Sequence, residues 1–491
     1  MVNLHYKWIV LSVTTIGVLM AGLDARIVIV GFPEVIQAIG ADAEQGIWIN
    51  QAYLIGSLAI LLLVGRLADI FGKKRIYTSG FAIFTIGSAM TSLALDPLQL
   101  ILFRVIQGIG AGIILTSSVA IIVDAIPRNE LGFSLGINNL GFRFGAMAGL
   151  TVSGFILSIL GDWRALFYVN LPIGIFGTIW SQLAIKENTG KKENTLKNKS
   201  SSMDWIGLIT FTAFIVSLLL ALTFAAYGIG SRLLTIEFVA ISIVSFTVFI
   251  GQELRCHSPL LDLKLLKIRE YTGGVVAQLI NAISWGAVLL LLSFYFQLVL
   301  GLSPLDAGIR IIPFDIAFLI FGPLSGKLSD RHGHLFFTTL GIVLSSISLF
   351  LFSTVEATTP YLTIAVYMGL FGAAIGIFSS PNMSSIMSAV PAERRGIGSA
   401  LRSTFFNVGF AVSLNLAILF ISFTIPYALI TQIAAGYVTT LNASAGFLQG
   451  MKMTYLWLAG LNIVAVIPSV LRGKGTKKGN LTETENLHIE M

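Results

Sequence analysis

Long apolar runs, each ended by a short polar or charged loop, make up most of the chain. About 20 apolar residues suffice for a helix to cross the hydrocarbon core of a bilayer. Fourteen runs reach that length, near residues 8–32, 48–68, 76–95, 99–123, 134–159, 165–185, 205–225, 234–252, 272–298, 305–325, 336–354, 361–386, 398–424 and 453–471. They predict an all-α polytopic membrane protein with 14 transmembrane helices, and the even number puts both termini on one side. The first run, from Trp8, is too long for a signal-peptide core and shows no small-residue cleavage site, so it reads as the first span.

The loops fall into two alternating sets. One holds Lys7, Arg66, Lys73, Lys74, Arg75, Arg128, Lys186, Lys191, Lys192, Arg255, Lys264, Lys267, Arg269, Lys327, Arg331, Arg394 and Arg395, and the tail adds Arg472, Lys474, Lys477 and Lys478. The other holds little beyond Arg164, Arg232 and Lys452. Lys and Arg concentrate on the cytoplasmic side. A multi-pass protein of the cell membrane with both termini cytoplasmic is therefore expected, with 425–449 as a long outer loop.

The halves repeat one another. PRNELGFSLGINNLGFRFG (127–145) aligns without gaps on PAERRGIGSALRSTFFNVG (391–409), pairing Pro127 with Pro391, Phe142 with Phe406 and Gly145 with Gly409. The same spacing pairs Gly108 with Gly372 and Gly112 with Gly376, and GRLADIFGKKRIY (65–77) matches GKLSDRHGHLFFT (326–338) at a slightly shorter one. The expected organisation is an N-terminal six-helix bundle (1–185), a cytoplasmic linker (186–203), two inserted helices with a loop (204–270), a C-terminal six-helix bundle (271–472) and a tail (473–491). Many secondary transporters are built from such repeats, with the binding site between them.

Composition narrows the chemistry. Of 491 residues, 55% are hydrophobic and 11% charged, with a mean hydropathy of +0.86; soluble domains carry roughly a quarter charged residues. The single cysteine, Cys256, excludes an intrachain disulfide and a thiolate cluster. His332 and His334 lie in a basic loop without ligand partners, so no metal or cofactor is expected. The net charge of +7 follows membrane topology and does not call for nucleic acid.

GRLADIFGKKRI (65–76) falls between the second and third runs. Gly65 and Gly72 permit a tight turn, Asp69 can pair with a nearby Arg, and Arg66, Lys73 and Lys74 hold the loop inside. Its copy carries Gly326, Asp330 and Gly333. Alone, the stretch is a basic turn that fixes topology. It is joined by LDARIVIVGFP (23–33), WINQAY (48–53), LFRVIQGIGAG (102–112) and DWRALFYVNLPIG (162–174). In this order, over nearly the whole chain, these stretches resemble the major facilitator superfamily, and within it the fourteen-helix drug–proton antiporter branch. The loop matches the superfamily's signature G-x-L-A-D-x-x-G-(R/K)-(R/K), Leu23, Asp24 and Pro33 match the helix-1 motif, and Arg104, Gln107, Gly108 and Gly112 match the helix-4 motif. The resemblance implies two bundles rocking about a central site, the loop and its copy as a conformational gate, and a proton gradient as the energy source. Arg26 stands where the helix-1 motif has Thr, Ile29 where it has Asn, and Leu150 where the helix-5 motif has Pro. Gly141, Gly145 and Gly149, four residues apart, form a close-packing ridge, and Gly108 and Gly112 are further helix-packing candidates.

Ionisable residues inside a membrane mark function by default. Asp24 reads as a proton carrier or as half of a static ion pair. Arg26, about 200° around the helix from Asp24, needs a partner of its own. Arg104 reads as a proton-pathway residue or as an Arg snorkelling to the interface. Arg143 and its repeat counterpart Asn407 are cavity candidates, as are Arg26, Gln278 and Asn281. Asp315 is a second proton-binding candidate, and Arg310 and Arg402 read as snorkelling. The sequence thus suggests a proton-coupled exporter of small amphipathic or toxic compounds, with Asp24, Arg104 and Asp315 as coupling groups and the small molecule, protons and lipid as partners of a monomer. One alternative is a proton-coupled transporter of an organic anion or metabolite, favoured by the excess of Arg and the missing proline. The other is a lipid-modifying membrane enzyme, which lacks a nucleophile or metal constellation.

Overall fold

The computed structural model describes residues 4–41, 43–127, 130–186, 204–227, 231–256, 261, 263–391, 395–425 and 441–473. Most of the expected linker, tail and long outer loop lies outside these residues, as do Arg128 and Arg394. The described residues form helices and turns without a strand. The first half comprises α1 (Leu4–Val30), α2 (Phe32–Ile39), α3 (Ala43–Phe71), α4 (Lys73–Ser92), α5 (Pro97–Ala125), α6 (Leu131–Leu160), α7 (Ala165–Tyr168) and α8 (Asn170–Ala184). Next come α9 (Trp205–Ala226) and α10 (Arg232–Arg255). The second half comprises α11 (Arg269–Trp285), α12 (Val288–Phe294), α13 (Pro304–His332), α14 (His334–Phe352), α15 (Tyr361–Ala389), α16 (Arg395–Ser422), α17 (Leu441–Val464) and α18 (Val466–Leu471).

Local chemistry sets several boundaries. Asp96 caps α5 by accepting from the Gln99 amide at 2.9 Å, with Pro97 following where its missing N–H is no loss. Ser303 and Pro304 repeat the arrangement at α13. Gly72 (φ 95°) and Gly333 (φ 91°) turn the chain sharply into α4 and α14, at matching places in the two halves. Other side chains are strained at such angles.

Four expected runs are broken, the sixth at Val169 and the fourteenth at Ala465 by a single residue each, the first and the ninth more markedly. The first helix ends before Gly31, and α2 restarts with Pro33 in its first turn, where no N–H is needed. The ninth divides into α11 and α12 and closes with a π turn over Tyr295–Val299. In contrast, α6 runs unbroken past Leu150. Among the described residues, 12 helical segments are long and apolar enough to cross a membrane. The other two expected runs lie in α3, whose described apolar part Trp48–Leu61 is short, and in α4, which opens on Lys73, Lys74 and Arg75.

The halves share one packing plan. Helix α1 pairs with α6 as α11 does with α16, α3 with α5 as α13 with α15, and α4 with α5 as α14 with α15. Helix α9 packs on both α3 and α16, so it touches both halves, and α10 packs outside it. Glycines permit the closest crossings. A Cβ on Gly108 would lie 2.1 Å from the Tyr53 carbonyl oxygen, and one on Gly372 2.1 Å from that of Phe314. These are the same contact in two copies, and it reconciles the two repeat spacings. Gly112 abuts Ser57, and Gly141, Gly145 and Gly149 abut Thr15, Leu19 and Leu23 in successive turns of α1.

Gly145→Ala, whose Cβ would lie 2.1 Å from the Leu19 carbonyl oxygen, is expected to destabilise the fold by about 1–3 kcal/mol. Gly136→Ala on the same helix, with nothing within 4 Å, is the control. Equal thermal midpoints for the two purified variants would contradict this crossing.

Candidate functional site

Asp24 and Arg104 lie inside the first half at 0% and 1% exposure. Two buried charges persist only if paired and hydrogen-bonded. Arg104 Nη1 donates to Asp24 Oδ2 at 2.9 Å and to Gln107 Oε1 at 2.7 Å. Three residues apart on α5, Arg104 and Gln107 share a face. Gln107 Nε2 and Asn170 Nδ2 each donate to Asp24 Oδ1 at 2.8 Å and to Ser88 Oγ at 3.1 Å. Ser88 Oγ donates to the Phe167 carbonyl at 3.0 Å. The guanidinium also lies 4.4 Å from the Tyr53 ring centroid. Arg104 therefore turns inward to Asp24 and does not snorkel. Every partner belongs to the first half, and Asn170 Oδ1 is buried without a hydrogen-bond partner.

The second half holds a neutral polar cluster of its own. Asn281 Nδ2 donates to Asn462 Oδ1 at 3.0 Å. Asn462 Nδ2 donates to Ser345 Oγ at 2.7 Å and Ser346 Oγ at 3.0 Å. At the repeat position of Arg104 stands the buried Met368.

A second set of groups lies between the halves. Arg26 Nη1 donates to Asp315 Oδ2 at 3.1 Å, joining α1 to α13, and Asp315 is 2% exposed. Arg143 on α6 lies 4.0 Å from the Phe318 ring centroid and 5.0 Å from that of Trp285. It lines a cavity of about 20 Å³ with Gln278, Asn281, Trp285, Ile375, Phe378, Ser379, Asn382 and Phe406. Away from the cavity, Asn415 Oδ1 accepts from Gln51 Nε2 and from Thr223 Oγ1, both at 2.9 Å. That bond pair ties both halves to α9.

The structure thus brings Arg143, Gln278 and Asn281 to one cavity and Asp24 with Arg104 to another place. Arg26 and Asn407 are not among the residues lining the cavity: Arg26 is held by Asp315, and Asn407 Nδ2 donates to the Ser403 carbonyl at 2.8 Å. Asp315 stands in an ion pair instead of alone. Arg402 does not snorkel, since its Nε is buried without a partner. Arg310 lies 4.9 Å from the Tyr361 ring, near the start of α13. At the expected gate loop, Lys73 Nζ bonds Asp124 Oδ2 at 2.5 Å, and Lys74 is half-buried. A Cβ on Gly326 would meet Ser380 Oγ at 2.8 Å, while Gly65 has open space. The side chains of Arg66, Asp69 and Asp330 lie outside the described residues.

Sequence reasoning did not assign Asn170, Ser88, Gln51, Thr223, Asn415 or Asn382. Each is a polar residue in an apolar run, which is a signal, but single Ser, Thr and Asn residues in helices often bond only their own backbone.

Residues 14–414 match the profile of the Major Facilitator Superfamily. The chain is 33% identical over 406 residues to the riboflavin transporter RibZ of Clostridioides difficile, covering 83% of this chain and 86% of that one. It is 27% identical over 403 residues to the tetracenomycin C resistance and export protein of Streptomyces glaucescens, covering 82% and 73%. Among solved structures, the proton:xylose symporter XylE shares the fold, with a TM-score of 0.61 at 16% identity, covering 95% of each chain. A buried polar node, a cavity between two repeated halves and this match over most of the length agree: the chain is a multi-pass membrane transporter of small molecules, not an enzyme, and belongs to the Major Facilitator Superfamily.

Proposed function

We propose that the protein is a proton-coupled exporter of small amphipathic compounds, working by alternating access with 14 spans, α3 and α4 included. It would sit as a monomer in the cell membrane with both termini cytoplasmic, the side the basic loops favour. The observation that carries the coupling is the asymmetry of the halves: one buries an acid–base pair, Asp24 with Arg104, and the other has the neutral Met368 at the repeat position of Arg104. The second half packs without a charge there, so the shared packing plan does not by itself require one.

Protonation would neutralise Asp24 and release its ion pair. The new O–H needs an acceptor. Asn170 supplies one by turning its amide over, which brings the unpartnered Oδ1 to where Nδ2 now bonds Asp24. The node can thus receive the new O–H, while Asn170 Nδ2 gives up its bonds to Asp24 and Ser88. Loss of the Asp24 charge frees Arg104 to favour a different arrangement of α1 against α5, and this supports coupling to the rocking of the halves.

The relatives named for riboflavin transport and for tetracenomycin C resistance and export favour a small organic substrate here. The reading is tested with purified protein in liposomes under an imposed pH gradient, using a panel of labelled aromatic compounds. Uphill movement of at least one compound that collapses with a protonophore is expected. Flux that only runs downhill, whatever the gradient, would refute proton coupling.

A further inference from the structure

We propose that the cavity between the halves is a receptor for a flat aromatic monoanion, with Arg143 holding the acidic group and the Arg26–Asp315 pair as the tie that the anion competes with. The inference rests on the transporter reading above and adds the charge of the substrate.

The argument begins with counting charges. Arg26 and Asp315 neutralise one another at 3.1 Å. Arg143 lies within Coulombic reach of both, yet among the described residues it has no ion-pair partner. The three groups together carry one surplus positive charge, in surroundings where a bare charge is costly. The faces of Phe318 and Trp285 offset only part of it. A cationic guest would meet a guanidinium without an ion-pair partner of its own; an anion would answer it.

The walls suit a flat ring. Trp285 and Phe406 lie 6.1 Å apart, centroid to centroid, along one side. The amides of Gln278 and Asn382 offer polar contacts. The free space here is about 20 Å³, against several hundred for an occupied small-molecule pocket, so a ring would enter only as the halves part. An acidic group arriving at Arg143 repels Asp315 and attracts Arg26. Among the described residues that pair is the one ion pair joining the halves. Binding would therefore loosen the tie that holds the halves in this arrangement.

Three probes with one ring system separate the charges: naphthalene-2-carboxylate, naphthalene-2-carboxamide and 2-naphthylmethylammonium. Their binding to the full-length protein in detergent is measured by equilibrium dialysis at neutral pH, without a gradient. The carboxylate is expected to bind about tenfold or more tighter than the ammonium. Arg143→Gln removes that preference and Arg143→Lys keeps part of it. Asp315→Asn, which frees Arg26, tightens the carboxylate severalfold, and it carries the test should Arg143→Gln not fold. The proposal is overturned if the carboxylate shows no saturable binding, if the ammonium or amide matches it, or if folded Arg143→Gln keeps the preference. No gradient is applied, so binding is read apart from proton coupling. Failure of proton-driven flux alone would then count against the coupling and not against the receptor.

Discussion

Asp24→Asn is expected to abolish gradient-driven accumulation while leaving downhill exchange of the same compound in place. Asn has nearly the shape of Asp, and its amide oxygen can still accept from Arg104 or Asn170 in the node. What it cannot do is gain and lose a proton. With one proton exchanged per substrate, a gradient of two pH units supports about a 100-fold concentration ratio, since each 1.4 kcal/mol is tenfold. The wild type should approach that ratio in liposomes and the variant should stay near unity. Exchange of labelled for unlabelled substrate, which needs no net driving force, should continue in the variant. If Asp24→Asn still accumulates substrate as the wild type does, the coupling acid lies elsewhere, and Asp315, the buried carboxylate between the halves, becomes the group to test.

The apolar runs made the helices legible, because crossing a bilayer imposes one length and one polarity on each. The gapless match of 127–145 with 391–409 made the two halves legible. It could not show why a second motif matched at another spacing. That needed the crossings of Gly108 with Tyr53 and of Gly372 with Phe314. Breaks inside runs were hidden for a different reason. Gly31 and the Tyr295–Val299 turn interrupt the backbone without interrupting the hydrophobicity, so the run reads straight through.

The charges were visible singly and their pairings were not. On α1, Asp24 and Arg26 point to opposite sides, so each partner is chosen by tertiary packing. Nothing in the spacing along the chain links Arg26 to Asp315, 289 positions away. The same holds for Asn170, which reaches Asp24 across 146 positions. Asn407 shows the opposite failure. Its repeat position matches Arg143, but its amide folds back onto the Ser403 carbonyl, as short polar side chains on helices do. Repeat symmetry transfers backbone position reliably and side-chain role poorly.

The second large effect is expected at Arg104. Arg104→Met strips the buried Asp24 carboxylate of its counter-ion, and breaking a buried pair from one side costs about 3–5 kcal/mol. The repeat suggests the remedy, since Met368 stands at the counterpart position of Arg104. Combining Arg104→Met with Asp24→Asn removes both charges from the node and leaves at 104 the residue that the second half already packs. The double variant should recover most of the lost thermal midpoint relative to Arg104→Met, because no charge is left buried and the Asn can bond Asn170 and Gln107. It should not recover proton-driven accumulation. Stability and coupling then separate at one site: the fold needs the node neutral or paired, and transport needs it charged. A double variant no more stable than Arg104→Met would mean that the guanidinium is held chiefly for its contacts with Tyr53 and the Ile49 carbonyl, with the ion pair secondary.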